Sequence, residues 1–187
     1  MNLTGRAPFV LDGSKALRRA IGAMFGKRAL VKRCQVHKSR NILSYLPPGR
    51  HAEARRRLKA AWGLTSFEEA LRELRKVQRW LDGISESAGD SLDEALEQTI
   101  TVHCLGICGA LRRTLVTTNP IESAIEVVKH NARRVKRWRG AAMVLRWVGS
   151  GLVTAEASFR RVKGHAAMPQ LVAALESSSL PEDRGAA

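Results

Sequence analysis

The stretch that decides the fold is "PFVLDGSKALRRAIGAMFGKRALVKRC", residues 8–34. Residues 8–11 form a short apolar run closed by Asp12 and Gly13, the pattern of a buried strand. Beyond them, apolar residues at 17, 20, 21, 24 and 25 have helical spacing, and Gly26 is a plausible stop. "ALVKRC", residues 29–34, is a second short strand. A strand, a helix and a strand in this order form a βαβ unit, so the two strands should be parallel. Asp12 then falls at the C-terminal tip of the first strand, the edge at which open parallel sheets bind their ligands.

The rest of the chain reads as helix. "HKSRNILSYL" (37–46) is closed by Pro47-Pro48, and a further helix runs from Arg50 to about Trp62. Thr65 is the expected cap of "SFEEALRELRKVQRWLDGI" (66–84), with Glu68 at capping-box distance and Leu71, Leu74, Val77, Trp80 and Leu81 as its apolar stripe. "SESAGDS" (85–91) reads as a loop, with Asp90 or Ser91 capping a helix from Leu92 to about Leu105. "CGALRRTLVTT" (108–118) is a short turn or helix. Two long helices follow, one from Asn119 to about Arg139 and one from Ala141 to about Val162, divided by Gly140. Pro169 starts a short last helix, and the polar tail from Ser177 is expected to be disordered. The fold class is therefore mostly α with a small parallel β element.

The chain has 187 residues and is 44% hydrophobic, which suits a globular domain with a real core. Lys and Arg number 32 against 17 Asp and Glu, a net charge of +15. That imbalance points to a polyanionic partner, most simply nucleic acid, with an acidic membrane surface as the other reading. No run reaches transmembrane length, and the first residues lack the apolar core of a signal peptide, so a cytoplasmic location is expected. Cys34, Cys104 and Cys108 are too few and unevenly placed for a disulfide framework. Cys34 with His37, and His103 with Cys104 and Cys108, have donors that zinc accepts, but their apolar surroundings equally suit small buried hydrophobes.

"TTNPIES", residues 117–123, sets Glu122 three residues after Asn119. Asn is a strong N-cap, Pro suits the first helical turn, and a Glu three residues after the cap can bond back to it. Glu122 thus fits a plain helix start. It also fits a metal-binding carboxylate, because Mg²⁺ takes one or two carboxylates and keeps room for water and phosphate. The helix it opens is basic: Lys129, Arg133, Arg134, Lys136, Arg137 and Arg139, several of them on one expected helical face, are candidate phosphate contacts. Trp138 is expected to pack against the following helix.

"FVLDGSKALRRAI" (9–21), "RCQVHKSRNILSYLP" (33–47), "LVTTNPIES" (115–123), "VKRWRGAAMVLRWV" (135–148) and "SFRRVKGHAAMPQLVAAL" (158–175) stand in this order. Together they resemble the C-terminal portion of mutator-type transposases of bacterial insertion sequences. The resemblance implies a ribonuclease-H-like catalytic core interrupted by an all-helical insertion. It also implies DNA strand cleavage and transfer by an Asp-Asp-Glu triad with Mg²⁺ or Mn²⁺. By this resemblance the second Asp is Asp12, the Glu is Glu122, and the family's C-x-x-H signature is Cys34 with His37.

The implied organisation is a partial core at 1–46, a helical insertion at 47–112, core helices carrying Glu122 at 113–176, and a tail at 177–187. None of the eleven residues before Asp12 is acidic, so the family's first Asp has no counterpart here. The expectation is a truncated transposase, inactive on its own. It would bind DNA at terminal inverted repeats near the nucleoid, with full-length transposase or a second copy as the further partner. A non-catalytic binding remnant acting as an inhibitor is the alternative. Without the neighbouring strand, residues 8–11 would form an open sheet edge, and Leu17, Ile21 or Met24 would be uncovered.

Overall fold

The structure, a computed structural model, describes residues 5–177. Strand β1 (Ala7–Leu11) and strand β2 (Ala29–Arg33) lie parallel, paired from Ala7 opposite Ala29 to Leu11 opposite Arg33. Helix α1 (Lys15–Phe25) makes the crossover. The βαβ reading therefore holds, including the stop at Gly26, which takes φ 50° and donates its N–H to the carbonyl of Gly22. The side chains of Leu11, Ile21 and Val31 are buried together between sheet and helix, with Phe9 and Phe25 against them at a ring separation of 4.8 Å. Ile21 is thus covered, contrary to expectation, because it faces the sheet. Leu17 and Met24, which flank Ile21 on α1, are exposed. Among the described residues β1 has no second strand partner.

Helix α2 (Gln35–Ser44) leads into a helical region: α3 (His51–Gly63), α4 (Phe67–Asp82), α5 (Glu86–Asp93) and α6 (Leu96–Ile100). Ala70, Leu74, Val77 and Leu81 recur at helical spacing on α4. They close a core with Ile42 and Leu43 of α2, Leu58 of α3, Leu92 of α5 and Ile100 of α6. Several of these leucines are fully buried, each contributing on the order of 2 kcal/mol by removal of apolar surface from water.

Three local readings are corrected here. Ser66, not Thr65, caps α4: its hydroxyl accepts the N–H of Glu69. "SESAGDS" is not a loop but most of α5. Packing overrides composition: Ala88 and Gly89 are buried, and the Asp82 carboxylate occupies the place a Gly89 side chain would take. The single helix expected over 92–105 is broken. α5 and α6 are separated at Ala95, and a 3-10 turn (Thr101–Leu105) follows α6. Four consecutive β-branched residues, Thr99 to Val102, stiffen this stretch, and Thr99 bonds back to the carbonyl of Leu96.

Helix α7 (Gly109–Leu115) and helix α10 (Met168–Glu176) complete this unit. Leu30 of β2, Val102, Leu105, Ile107, Leu111, Leu171 and Leu175 form its second core. Pro169 stands in the first turn of α10, where its missing N–H does no harm.

The described residues divide into two compact units, one running up to Thr117 and resuming at Lys163, the other being Thr118–Val162. The second unit is a pair of helices, α8 (Asn119–Ala132) and α9 (Ala141–Glu156). They cross closely at Gly151, where a Cβ would lie 2.8 Å from the Cα of Val128. Gly140 begins α9 at φ 110°, a conformation that suits glycine alone.

Both helices are shorter than expected. α8 ends at Ala132 rather than near Arg139, since Lys129, Arg133, Lys136 and Arg137 would set like charges one turn apart. α9 ends at Glu156 rather than Val162, where the hydroxyl of Ser158 takes the carbonyl of Ala155. The tail beyond Ser177 lies outside the described residues.

Candidate functional site

Asp12 follows the last residue of β1 at its C-terminal end and is exposed. Its Oδ1 accepts the N–H of Ser14 at 3.0 Å, and the hydroxyl of Ser14 in turn accepts the N–H of Leu17 at 3.2 Å, starting α1. One carboxylate oxygen therefore fixes the turn while the other stays available. Gly13 takes φ 121°, and the Arg33 guanidinium fills the place of its absent side chain: a Cβ there would lie 2.2 Å from Nη2.

A charge relay reaches from this turn to the helical region. Arg33 lies 3.8 Å from Glu94 at the end of α5, and Glu94 accepts from the fully buried Lys38 of α2 at 2.9 Å. The Lys38 bond holds the Glu94 carboxyl below its usual range, despite partial burial. Burial lowers Lys38, and the bond to Glu94 works against that.

Glu122 lies in the first turn of α8, within the other unit. The expected cap is displaced by one residue. Thr118 holds the cap position and Asn119 is the first helical residue, so the Asn119–Glu122 capping box is not the arrangement adopted. Instead the buried Thr118 hydroxyl donates to Glu122 Oε1, and the Glu122 N–H donates to the carbonyl of Thr118 at 3.1 Å. Glu122 is half-buried, with Oε1 held by Thr118.

Cys34 and His37 do meet. Cys34 is fully buried at the start of α2, and its Sγ lies 3.4 Å from His37 Nδ1. The pair staples the turn from β2 into α2. Cys104 is half-buried, with its thiol pushed up by burial; Cys108 is exposed; all three cysteines are unbridged. Among the described residues no three His, Cys, Asp or Glu side chains gather as a metal cluster.

The basic run is not a helical face. Lys129 is on α8 and pairs with Glu126 at 2.7 Å. Arg133 and Arg134 form a turn at the helix end, and Lys136, Arg137 and Arg139 lie in irregular backbone, all exposed. Trp138 keeps nearly half its surface exposed, so it is not the buried anchor expected. Sequence patterns miss Thr118, one residue from the assumed cap. They also miss the relay of Arg33, Glu94 and Lys38, whose members lie up to 61 positions apart (94 − 33) with no local signal.

A second group is hidden near Cys34. Lys32 is buried on β2, on the Leu30 side of the sheet, and its Nζ has no hydrogen-bond partner among the described residues. The Arg112 guanidinium of α7 and the His103 imidazole lie near it. Burial, reinforced by Arg112, lowers Lys32 to about 7.

Residues 3–161 match the family described as "Transposase, Mutator family". The chain belongs to the Mutator family of transposases. The match spans Asp12, Cys34, His37 and Glu122 together. No curated protein and no solved structure matches the chain. Transposases act on DNA, so family membership gives the +15 charge a general partner class. Among the described residues no helix of this Mutator-family chain is long and apolar enough to cross a membrane.

Proposed function

We propose that this chain is the part of a bacterial insertion-sequence transposase that holds two carboxylates of an Asp-Asp-Glu site, Asp12 and Glu122, on a ribonuclease-H-like core. The observation that carries the reading is one family match spanning both residues. It is supported by the position of Asp12 at the C-terminal end of a parallel strand. The donors fit Mg²⁺ or Mn²⁺ in kind: both are hard carboxylate oxygens, each side chain steadied by a local hydrogen bond. When bound between such groups, divalent ions activate an attacking oxygen and stabilise the leaving one in phosphodiester cleavage.

The chain's own residues prepare that chemistry. The Ser14 amide orients Asp12, and the Thr118 hydroxyl orients Glu122. Arg33 braces the turn after Asp12, and Glu94 ties that brace to the helical insertion. Two carboxylates alone are expected to bind a divalent ion weakly.

A non-catalytic module that joins full-length transposase, or a second copy, is the other reading. The open edge of β1 and the exposed Leu17 and Met24 favour it, because unpaired edges recruit further strands.

The DNA side of the proposal is tested by gel shift on terminal inverted repeats over a salt series. Arg133→Ala with Arg137→Ala should weaken binding on every sequence alike and reduce the salt slope by about 2. Binding that holds steady between low and moderate salt contradicts it.

A further inference from the structure

We propose that the outer face of α3 is a second phosphate-contact surface, engaging the backbone of a nucleic-acid duplex independently of the basic segment after α8. The proposal rests on reading the chain as one that acts on DNA.

α3 buries Ala54, Leu58 and Ala61 against the helical core. Arg55, Arg56 and Lys59 point away from that face, within about 100° of arc on a 3.6-residue helix. All three are exposed. Four neighbouring cations are already engaged by carboxylates, whereas Arg72 and Arg79 of α4 are exposed without an ion pair among the described residues. Arg50 and Arg57 both reach Glu53, at 3.4 and 2.7 Å; Arg75 pairs with Asp93, and Lys76 with Glu73 at 3.0 Å. Arg55, Arg56 and Lys59 have no ion pair among the described residues, and Glu53, the acidic residue one turn before Arg56, is taken by Arg50 and Arg57.

The rest of this face selects the partner. Between and beside the cations stand Ala52 and Ala60, both exposed and small. Its exposed positions carry no large apolar or aromatic side chain, and Trp62 at its border packs against the helical core. An interfacial membrane helix needs an apolar face to bury, and a protein hot spot needs aromatic or aliphatic anchors. A duplex backbone needs neither: it needs several unneutralised cations on a rigid element, free to replace condensed counterions. α3 is rigidly seated, and Arg57 is further held over the Trp80 ring at 4.6 Å.

The test is binding of the whole chain to a short DNA duplex of arbitrary sequence, measured by fluorescence anisotropy over a salt series. Three proteins are compared: the wild type, R55A/R56A/K59A, and R75A/K76A, in which the lost cations were already paired. The triple variant should lower the slope of log K against log salt by about 2 to 3, from about 0.9 per phosphate contact. It should therefore lose roughly forty-fold less affinity than wild type between about 50 and about 200 mM salt. The double variant should stay close to the wild-type slope. An unchanged slope in the triple variant, with wild-type binding intact, overturns the α3 surface and leaves the proposed function standing. Equal loss per charge in both variants also overturns it, since net charge alone would then be acting. Tighter wild-type binding to phosphatidylserine vesicles than to duplex assigns the face to lipid and overturns it too. A wild-type chain that binds no duplex at all overturns this surface and the DNA reading together.

Discussion

Lys32→Met is expected to make the chain more stable at pH 7, with the gain disappearing at high pH. Lys32 is buried with no partner for its Nζ among the described residues, and the charge near it from a neighbouring element is the Arg112 guanidinium, with the buried His103 imidazole also facing it. Cys34 is the one group acting the other way. The folded-state value of Lys32 is lowered from 10.5 to about 7. Above 10.5 neither state is protonated and Lys32 contributes nothing to the pH dependence. As pH falls from 10.5 towards 7, the unfolded chain takes up a proton that the native one resists, so stability falls. Below 7 both states are protonated and the loss is constant. The full loss is on the order of 4–5 kcal/mol by linkage. Methionine fills similar space without a charge. Urea unfolding of both proteins across this range should show the Met variant ahead by several kcal/mol at neutral pH and level with wild type near pH 10.5. A difference that does not change with pH, or a Met variant that is less stable throughout, would count against it. His103, whose value burial also lowers, should leave both proteins a further loss of stability below 6.5.

Gly164→Ala is the other change with a large expected effect. Gly164 takes φ 83°, and a Cβ there would lie 2.3 Å from the backbone N of Leu111. The left-handed backbone alone costs about 1 kcal/mol for alanine, and an overlap with backbone cannot be relieved by turning a side chain. The segment leading into α10 would have to lift, taking Leu171 and Leu175 from their core with Leu30 and Leu111. A loss of roughly 3 kcal/mol is expected. Amide exchange should place it: protection should fall first in α10 and α7 and be kept in α4. Unchanged protection in α10 would show that the turn accommodates the methyl group.

Why some of this fold is legible in sequence and some is not follows from where the determining contacts lie. The βαβ unit is readable because Leu11, Ile21 and Val31 are near in sequence and repeat at the periods of strand and helix. α5 is not, because it is held by Ala88 and Leu92 packing into the helical core, a packing relation rather than a propensity. The basic run after α8 looks helical by composition, but like charges a turn apart favour ending the helix at Ala132. At the candidate site, Asp12 announces itself by closing an apolar strand, and Glu122 by the Asn-Pro start before it. The groups that hold them are harder to see. Thr118 differs from the assumed cap by one position, and Arg33 braces Gly13 only because parallel pairing sets the end of β2 beside the end of β1.

The central claim is that Asp12 and Glu122 together bind a divalent ion. Electron paramagnetic resonance reads it directly, since free Mn²⁺ gives a sharp signal that is lost on binding. The wild-type chain, Asp12→Asn, Glu122→Gln and the double variant are each titrated with Mn²⁺ in the presence of a terminal-repeat duplex. The expected result is weak binding by the wild type, at least ten-fold weaker binding in either single variant (about 1.4 kcal/mol or more), and no further loss in the double variant, as for two ligands of one ion. Equal Mn²⁺ binding by all four proteins would contradict it.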